Sequence, residues 1–307
     1  MKTGMMGTFA AIPTPFKNGD MDEPGLRSVA RYVKNGGVSG IVACGTTGEA
    51  PSLRGHEWRR AIEICLEEAG NLPVIVGAGS SSTEKTVEMV AEAKHIGAFA
   101  ALVVTPYYVK PTPEGMRRHF EAVVAHADFR VILYNVPDRT GVDMDETTME
   151  ALATDNRVLG VKEARGARPD RTQQLVGVLP DGFSVLAGDD EKARDMYKKG
   201  ARGAISASAS VVPANMSAMY YYHYVSTVTP DPGLAAGYAT AADDIHKKLS
   251  KKLFKALFKE TNPGPIKYAL WKMSYGALAN ELRMPLAPVT AATAAVVDDA
   301  LLDVGLI

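Results

Sequence analysis

The stretch VLGVKE, residues 158–163, places a lysine at the end of a run that otherwise reads as a buried β-strand. Alternation along a strand puts Val158, Gly160 and Lys162 on one face, and in a closed sheet that face would hold the lysine amine partly away from water. Burial disfavours an ammonium ion, and a neutral lysine amine is a nucleophile that forms a Schiff base with a ketone. The alternative is a lysine whose stem packs while its ammonium reaches solvent.

Seven further short apolar runs share the character of this stretch. Five of the seven are followed directly by Gly, Pro, Thr or Asp, and each leads into a segment of helical character. This alternation predicts parallel strands joined by right-handed crossovers. The runs are GTFAAI (7–12), VSGIVAC (38–44), PVIVGA (73–78), AFAALVV (98–104), RVILYN (130–135), FSVLAG (183–188) and RGAISA (202–207).

Eight strand–helix units predict the α/β class and a closed (β/α)8 TIM barrel. From about residue 214 the pattern changes to helices alone, which predicts a barrel over 1–225 and a C-terminal helical region over 226–307. A doubly wound open sheet is the alternative. It has little support, because GAGSSS (77–82) lacks the third glycine of a dinucleotide-binding fingerprint.

The composition is that of a soluble globular protein. The 307 residues carry a net charge of -1, with 46% hydrophobic and 22% charged residues, which gives no electrostatic case for binding nucleic acid or membranes. Two cysteines cannot form a disulfide framework, and with no secretory signal the prediction is a cytoplasmic protein. The six histidines are scattered, so the sequence predicts no metal site.

The predicted barrel would carry its chemistry at the C-terminal ends of the strands. The second strand ends in GTTGE (45–49), where the hydroxyls of Thr46 and Thr47 and several backbone N–H groups could hold a carboxylate. The alternative for this turn is a local threonine cap without a ligand.

The fifth strand lies next to the sixth in a barrel and ends in Tyr134, with Arg139 in the loop beyond. A phenol beside Lys162 could move protons during imine formation, or could be a core aromatic with a satisfied hydroxyl. A guanidinium at Arg139 could bind a second carboxylate, or could form a surface ion pair. Together these residues favour an enzyme that condenses a 2-oxo acid with a second carboxylate-bearing substrate.

At this point the chain resembles the pyruvate-dependent class I aldolases of the dihydrodipicolinate synthase and N-acetylneuraminate lyase family. The resemblance runs along essentially the whole chain, and its motifs are AIPTPF (11–16), GTTGE, YNVPDRTG (134–141), GVKEA (160–164) and LRMPLAPVT (282–290). The segments VTPYYVKPTPEG (104–115) and LFKETNPGPIKYAL (257–270) resemble the synthase branch. The lyase branch usually has Ser at the position of Thr46 and lacks an arginine at that of Arg139.

The resemblance implies a role for each matched residue. Lys162 would form the pyruvate imine, Thr46 and Thr47 would hold the pyruvate carboxylate, and Tyr134 would shuttle protons. Thr46, Tyr134 and Tyr108 would form a hydroxyl relay, with Tyr108 entering the site of a neighbouring subunit. Arg139 would bind the carboxylate of aspartate-4-semialdehyde, and the backbone at Gly188 and Ile205 would line the pocket.

The implied reaction condenses pyruvate with L-aspartate-4-semialdehyde to 4-hydroxy-tetrahydrodipicolinate in lysine biosynthesis, with no cofactor beyond the covalent imine. The implied assembly is a homotetramer of tight dimers. A sister aldolase or dehydratase acting on a sugar-derived 2-oxo acid is the first alternative, and a catalytically idle barrel acting as a scaffold is the second.

The sequence departs from the synthase pattern in three places. SASASVV (206–212) lacks an Asn that the branch often has near Ser210, and the segment 219–245 reads as slightly long. Lysine-inhibited members often have an Asn and an acidic residue at the positions matched to Ser81 and Lys85. Because a lysine at 85 would repel the ammonium of the effector, the sequence predicts weak or absent inhibition by lysine.

Overall fold

A computed structural model describes residues 4–165, 169–274 and 276–307. Contacts divide the chain into two compact units, the first comprising Met1–Gly7 with Pro73–Ile205 and the second Thr8–Leu72 with Ser206–Ile307. The predicted division at residues 225 and 226 stays a prediction. We keep it as a proposal, supported by the change after β10 (Gly203–Ser206) from alternating strands and helices to helices alone.

Eight parallel strands form a closed barrel, which confirms the predicted TIM-barrel fold and excludes the doubly wound sheet. Their order around the barrel is β1-β10-β9-β8-β7-β6-β5-β4. Every strand lies inside one of the eight predicted runs. The strands are β1 (Gly7–Ala11), β4 (Gly40–Ala43), β5 (Val74–Gly77), β6 (Ala100–Val104), β7 (Val131–Asn135), β8 (Val158–Glu163), β9 (Ser184–Ala187) and β10.

The strands are buried on both faces, as parallel strands covered by helices must be. This explains why the runs read as continuous apolar stretches of Ala, Val, Ile and Leu rather than as alternating patterns. In the first unit, β7 pairs with β8 along the whole length of both strands. The register shifts between Val131 and Ile132, and beyond the shift Tyr134 is opposite Lys162.

The helices of the first unit follow the strands, and three of them begin at side-chain caps. The side chains of Ser82, Thr112 and Asp145 accept hydrogen bonds from backbone N–H groups of the first turns of their helices. The helices are α3 (Thr83–Ile96), α4 (Pro113–Ala127), α5 (Pro137–Thr140), α6 (Glu146–Ala153), α7 (Pro169–Val178) and α8 (Ala193–Lys198).

The second unit begins with a hairpin that the sequence analysis missed. Strands β2 (Phe16–Lys17) and β3 (Asp20–Met21) pair antiparallel. Asn18 and Gly19, which join them, have φ angles of 56° and 85°, and positive φ at both central residues is what a two-residue type I′ turn requires. The Asn-Gly pair in the sequence could therefore have predicted this hairpin.

Helices complete the second unit. They are α1 (Glu23–Asn35), α2 (Gly55–Ala69), α9 (Pro213–Val228), α10 (Pro232–Lys251), α11 (Leu253–Leu257), α12 (Gly264–Met273) and α13 (Ala291–Val304). The helical sequence pattern AAGYATAADDIHKKLSKKLFKALF (235–258) suggests one helix, but the structure interrupts it at Lys252, whose φ of -137° departs from helical geometry. The break buries Leu253, Phe254 and Leu257. Within the described residues, none of the helices has the length and apolar character needed to cross a membrane.

Candidate active site

Lys162 lies near the end of β8 and is buried, with 8% of its surface exposed. Gly160 precedes it on the same face, and a Cβ atom there would lie 2.3 Å from the carbonyl oxygen of Ser184. Only glycine therefore allows β9 to approach β8 at this level. The structure therefore does not have the alternative arrangement, in which the end of the Lys162 side chain would reach solvent.

The Nζ of Lys162 lies over the ring of Tyr134, 4.3 Å from the ring centroid. Tyr134 is 7% exposed, and its position follows from the β7–β8 register. Across the described ranges, Lys162 Nζ has no carboxylate within 4 Å and no hydrogen bond, so its contact with the protein is the ring. An amine held beside a phenol without an ion pair is suited to nucleophilic and proton-transfer chemistry.

Gly188 leaves room beside the lysine side chain. A Cβ atom at this position would lie 2.7 Å from the Cβ of Ala164 and 3.1 Å from the Cε of Lys162. The Gly188 N–H donates to the carbonyl of Glu163 at 2.8 Å, which extends the β8–β9 contact beyond β9. Ile205 is buried in β10, one residue after Ala204, which pairs with β9.

Arg139 and Tyr108 lie in segments that follow strands of the first unit. Arg139 is exposed in α5, directly after β7, and its N–H donates to the carbonyl of Val136. Tyr108 follows β6, is 90% exposed and has a left-handed φ of 72°. In the described part of a single chain, Tyr108 contacts neither Lys162 nor Tyr134.

A buried polar network lies at the same end of β7 and β8, and the sequence analysis gave it no role. The amide of Asn135 donates to both carboxylate oxygens of Glu163 at 3.1 Å. Arg171 Nε donates to the same carboxylate at 3.1 Å, and Arg171 also pairs with Asp143. Burial raises the pKa of Glu163, and the Arg171 guanidinium opposes the rise. The network fixes the strand ends that carry Tyr134 and Lys162.

In the second unit, the predicted carboxylate cradle is a tight turn. Thr46 is half-buried and Thr47 is buried. The turn is tight at Gly48, because a Cβ atom there would lie 3.1 Å from the Cα and the N of Cys44. Thr14 Oγ1 donates to the Gly48 carbonyl at 2.9 Å. Asn262, from the segment before α12, donates to Thr47 Oγ1 at 3.0 Å.

The last residue of this turn belongs to an ionic network that the sequence analysis also missed. Glu49 and Lys267 form a buried ion pair with Oε1 and Nζ 2.5 Å apart. Burial lowers the pKa of Lys267 to about 8, against the opposing effect of Glu49. Arg283 pairs with Glu57 in a bidentate contact, which lowers the pKa of Glu57 to about 2. Lys267 and Arg283 lie in the motifs LFKETNPGPIKYAL and LRMPLAPVT. No local pattern in these motifs indicates that the two residues pair with glutamates more than 200 positions away.

Among the residues that the structure describes, no three His, Cys, Asp or Glu side chains lie close enough together to hold a metal ion.

Comparisons with known proteins agree along the whole chain. A model of the Dihydrodipicolinate synthetase family matches residues 4–303. The 4-hydroxy-tetrahydrodipicolinate synthase of Thermotoga neapolitana is 40% identical over 305 residues, covering 98% of this chain and 99% of that protein. The enzyme of the same name from Bradyrhizobium diazoefficiens is 39% identical over 307 residues, covering 100% and 99%.

Solved structures match equally well. The crystal structure of dihydrodipicolinate synthase from Thermotoga maritima has a TM-score of 0.91 at 36% identity and covers 99% of both chains. The chloride-inhibited dihydrodipicolinate synthase from Acinetobacter baumannii, complexed with pyruvate, has a TM-score of 0.91 at 35% identity and covers 98% of this chain and 99% of that one.

Proposed function

Because this chain belongs to the Dihydrodipicolinate synthetase family, we propose that it condenses pyruvate with L-aspartate-4-semialdehyde to give 4-hydroxy-tetrahydrodipicolinate. Full-length relatives at 40% and 39% identity carry the name of this activity. The protein is thus a lyase of lysine and diaminopimelate biosynthesis. The observation that carries the proposal is Lys162, buried with its Nζ 4.3 Å from the Tyr134 ring.

The chemistry begins with attack of the neutral Lys162 amine on the ketone carbon of pyruvate. The resulting carbinolamine loses water to give an imine, and the Tyr134 phenol carries the protons that this step moves. Loss of a proton from the pyruvate methyl group gives an enamine, and its carbon attacks the aldehyde of the second substrate. The amine of that substrate then attacks the imine carbon, closes the ring and releases Lys162. One water leaves overall, and no external cofactor is needed.

Thr46 and Thr47 bind the pyruvate carboxylate through their hydroxyls and the N–H groups of the GTTGE turn. The support is the turn itself, in which Thr47 is buried and Gly48 packs closely against the backbone of Cys44, and the match of this motif to the family. The backbone at Gly188 and Ile205 lines the pyruvate pocket. The room left beside Lys162 Cε by the glycine supports this role.

Arg139 binds the carboxylate of aspartate semialdehyde. A guanidinium donates two parallel hydrogen bonds to a carboxylate, which orients the substrate as well as binding it. Arg139 lies in α5, immediately after the strand that carries Tyr134. This order in YNVPDRTG, together with the exposure of Arg139, supports a role in binding the second substrate.

Tyr108 completes a hydroxyl relay with Thr46 and Tyr134 in the site of a neighbouring copy, so the active form is a homo-oligomer built from tight dimers, and we propose a tetramer. The support is that Tyr108 is almost fully exposed and has a left-handed φ. Strained backbone positions cluster at functional sites, and a large exposed aromatic side chain at such a position is suited to contact with a second subunit. We place the protein in the cytoplasm, where its two free cysteines stay reduced.

An assay of product formation from pyruvate and aspartate semialdehyde tests the proposed function. The same protein is assayed with N-acetylneuraminate and with 2-oxo-3-deoxy sugar acids, the substrates of the sister enzymes. We expect kcat/KM for the semialdehyde reaction to exceed the others by at least about a hundredfold, since a site built for one polar substrate rejects another strongly. Faster cleavage of a sugar acid would overturn the assignment, and no activity with any substrate would favour an idle barrel.

A further inference from the structure

A buried ion pair ties the GTTGE turn to α12. Glu49 and Lys267 are 2% and 4% exposed, and Lys267 Nζ also donates to the carbonyl of Glu281 at 2.8 Å. A buried ion pair contributes little net stability, because desolvation of both charges offsets their attraction. The pair is thus better explained by what it positions than by what it stabilises.

The position that the pair fixes is strained. Glu49 has a left-handed φ of 53°, which disfavours a residue with a side chain. Its N–H donates to the Thr46 carbonyl at 3.1 Å, so the backbone of Glu49 closes the threonine turn. Loss of Lys267 would leave a carboxylate buried without a cation, and its escape toward water would open the turn.

Arg283 holds the other side of the same carboxylate. Its backbone N–H donates to Glu49 Oε2 at 3.0 Å, and its guanidinium donates to the Ser52 carbonyl at 3.1 Å and to Glu57. Residues 49–57 are therefore held along their length by the segment that follows α12. We refer to Asn262, Lys267 and Arg283 together as the C-terminal clasp.

Asn262 acts on the threonine hydroxyl itself. Its Nδ2 donates to Thr47 Oγ1 at 3.0 Å, and both side chains are buried. A hydroxyl has a single hydrogen. Because Thr47 Oγ1 accepts from Asn262, the hydrogen of Thr47 stays available to donate to another acceptor, and a carboxylate is the strongest acceptor for it.

We propose that the C-terminal clasp positions the threonine turn for the pyruvate carboxylate: Lys267 and Arg283 hold the closing residue Glu49, and Asn262 directs the Thr47 hydroxyl hydrogen toward the ligand. This inference rests on the proposed function, because it assigns these residues to the binding of that substrate. They are positioning residues, acting through Glu49 and Thr47 rather than on pyruvate.

The substitution Asn262→Asp tests whether Asn262 directs the hydroxyl hydrogen of Thr47 toward the ligand. The two side chains have the same shape, but at neutral pH a carboxylate accepts the Thr47 hydrogen and repels the pyruvate carboxylate. We expect the KM for pyruvate to rise about tenfold to a hundredfold and the KM for the semialdehyde to change less than about threefold. Because the new carboxylate is buried without a cation, the melting temperature should fall below that of wild type. Lys272→Met is the control, since Lys272 lies in α12, the helix that follows Asn262, and pairs with Asp298 at a half-buried position outside the threonine turn.

A double-mutant cycle separates positioning from a general effect on the fold. If Asn262 acts through the hydroxyl, Asn262→Ala raises the KM for pyruvate in wild type and adds nothing in a Thr47→Val background. Additive effects, or a KM for pyruvate within about twofold of wild type in a folded Asn262→Asp protein, would overturn the role of Asn262.

The ion pair is tested by Glu49→Gln combined with Lys267→Met, which leaves no charge buried alone. We expect a folded protein whose KM for pyruvate is raised at least about threefold. A double variant that matches wild type in this KM would show that the pair does not position the turn. Trapping of pyruvate on wild-type Lys162 by borohydride is run alongside: its failure overturns the proposed function and the inference together, whereas trapping with an unchanged KM in the variants overturns the inference alone.

Discussion

Tyr134 and Lys162 are register partners on β7 and β8, and the Nζ of Lys162 lies 4.3 Å from the centre of the Tyr134 ring. In a parallel sheet, residues in register point to the same face, so the pairing of two strands is sufficient to bring the lysine and the phenol together. The glycine at position 160 lets β9 pack against β8 below them. The geometry of this pair is thus set by the barrel rather than by a flexible loop, as precise catalysis requires.

Replacement of Tyr134 by Phe should lower kcat by about 10² to 10⁴, because it removes the group proposed to carry protons during imine formation. The ring, and with it the contact with Lys162, is retained, so the melting temperature should change little. Steady-state kinetics with both substrates measures the effect. Tyr220→Phe is the control, since Tyr220 is a buried tyrosine in α9, and comparable losses in the two variants would contradict the role of Tyr134.

Replacement of Arg139 by Ala should raise the KM for aspartate semialdehyde by about tenfold or more and leave the KM for pyruvate nearly unchanged. Arg139→Lys should recover only part of the loss, because a lysine cannot donate two parallel hydrogen bonds to a carboxylate. Arg118→Ala removes another exposed arginine, on α4, as the control. Equal changes in the two KM values would argue against a role specific to the second substrate.

Lysine should inhibit this protein weakly or not at all. Ser81 and Lys85 are both exposed, one before α3 and one in its first turn, and the ammonium of Lys85 would repel that of the effector. The initial rate is measured with lysine from micromolar to millimolar concentrations. Lys85→Glu should bind lysine more tightly than wild type does. Strong inhibition of the wild type by micromolar lysine would refute the prediction.

Glu57 should make the stability depend on pH in the acid range. Its pair with Arg283 lowers its pKa from 4.5 to about 2, so below pH 4.5 the unfolded chain takes up a proton that the folded protein does not. The contribution of the pair, at most about 3 kcal/mol, is present above pH 4.5 and is lost as the pH falls toward 2.

Urea unfolding of wild type and Glu57→Gln at several pH values measures this contribution. The difference in unfolding free energy should be largest above pH 4.5 and should close as the pH approaches 2. Glu88→Gln, a change at an exposed position of α3, should give no such trend. A difference between wild type and Glu57→Gln that is independent of pH would contradict the assignment.

The eight barrel strands could be predicted because each combines a short apolar run with a clear stop signal, and both properties are local. The adjacency of Tyr134 and Lys162 followed from the same prediction, since consecutive strands of a barrel are neighbours. The β2–β3 hairpin was missed although Asn18 and Gly19 signal its turn, because its strands have only two residues each. The break at Lys252 was missed because the helical pattern continues across it.

The C-terminal clasp could not be predicted from local patterns. Asn262 and Thr47 are 215 residues apart, and Lys267 and Glu49 are 218 apart, so nothing in the neighbouring sequence of either residue indicates its partner. Charged residues near a chain end are usually solvated, and a buried lysine is rare without a partner. The burial of the clasp residues arises only when the second unit folds, so it can be read from the structure but not from the local sequence.

The measurement that tests the central claim most directly is reduction of the protein with borohydride in the presence of pyruvate, followed by mass spectrometry of its peptides. We predict one reduced pyruvate adduct per chain, located on Lys162, and no adduct in Lys162→Ala, which should also have lost its activity. An adduct on another lysine, or full activity in Lys162→Ala, would contradict the account.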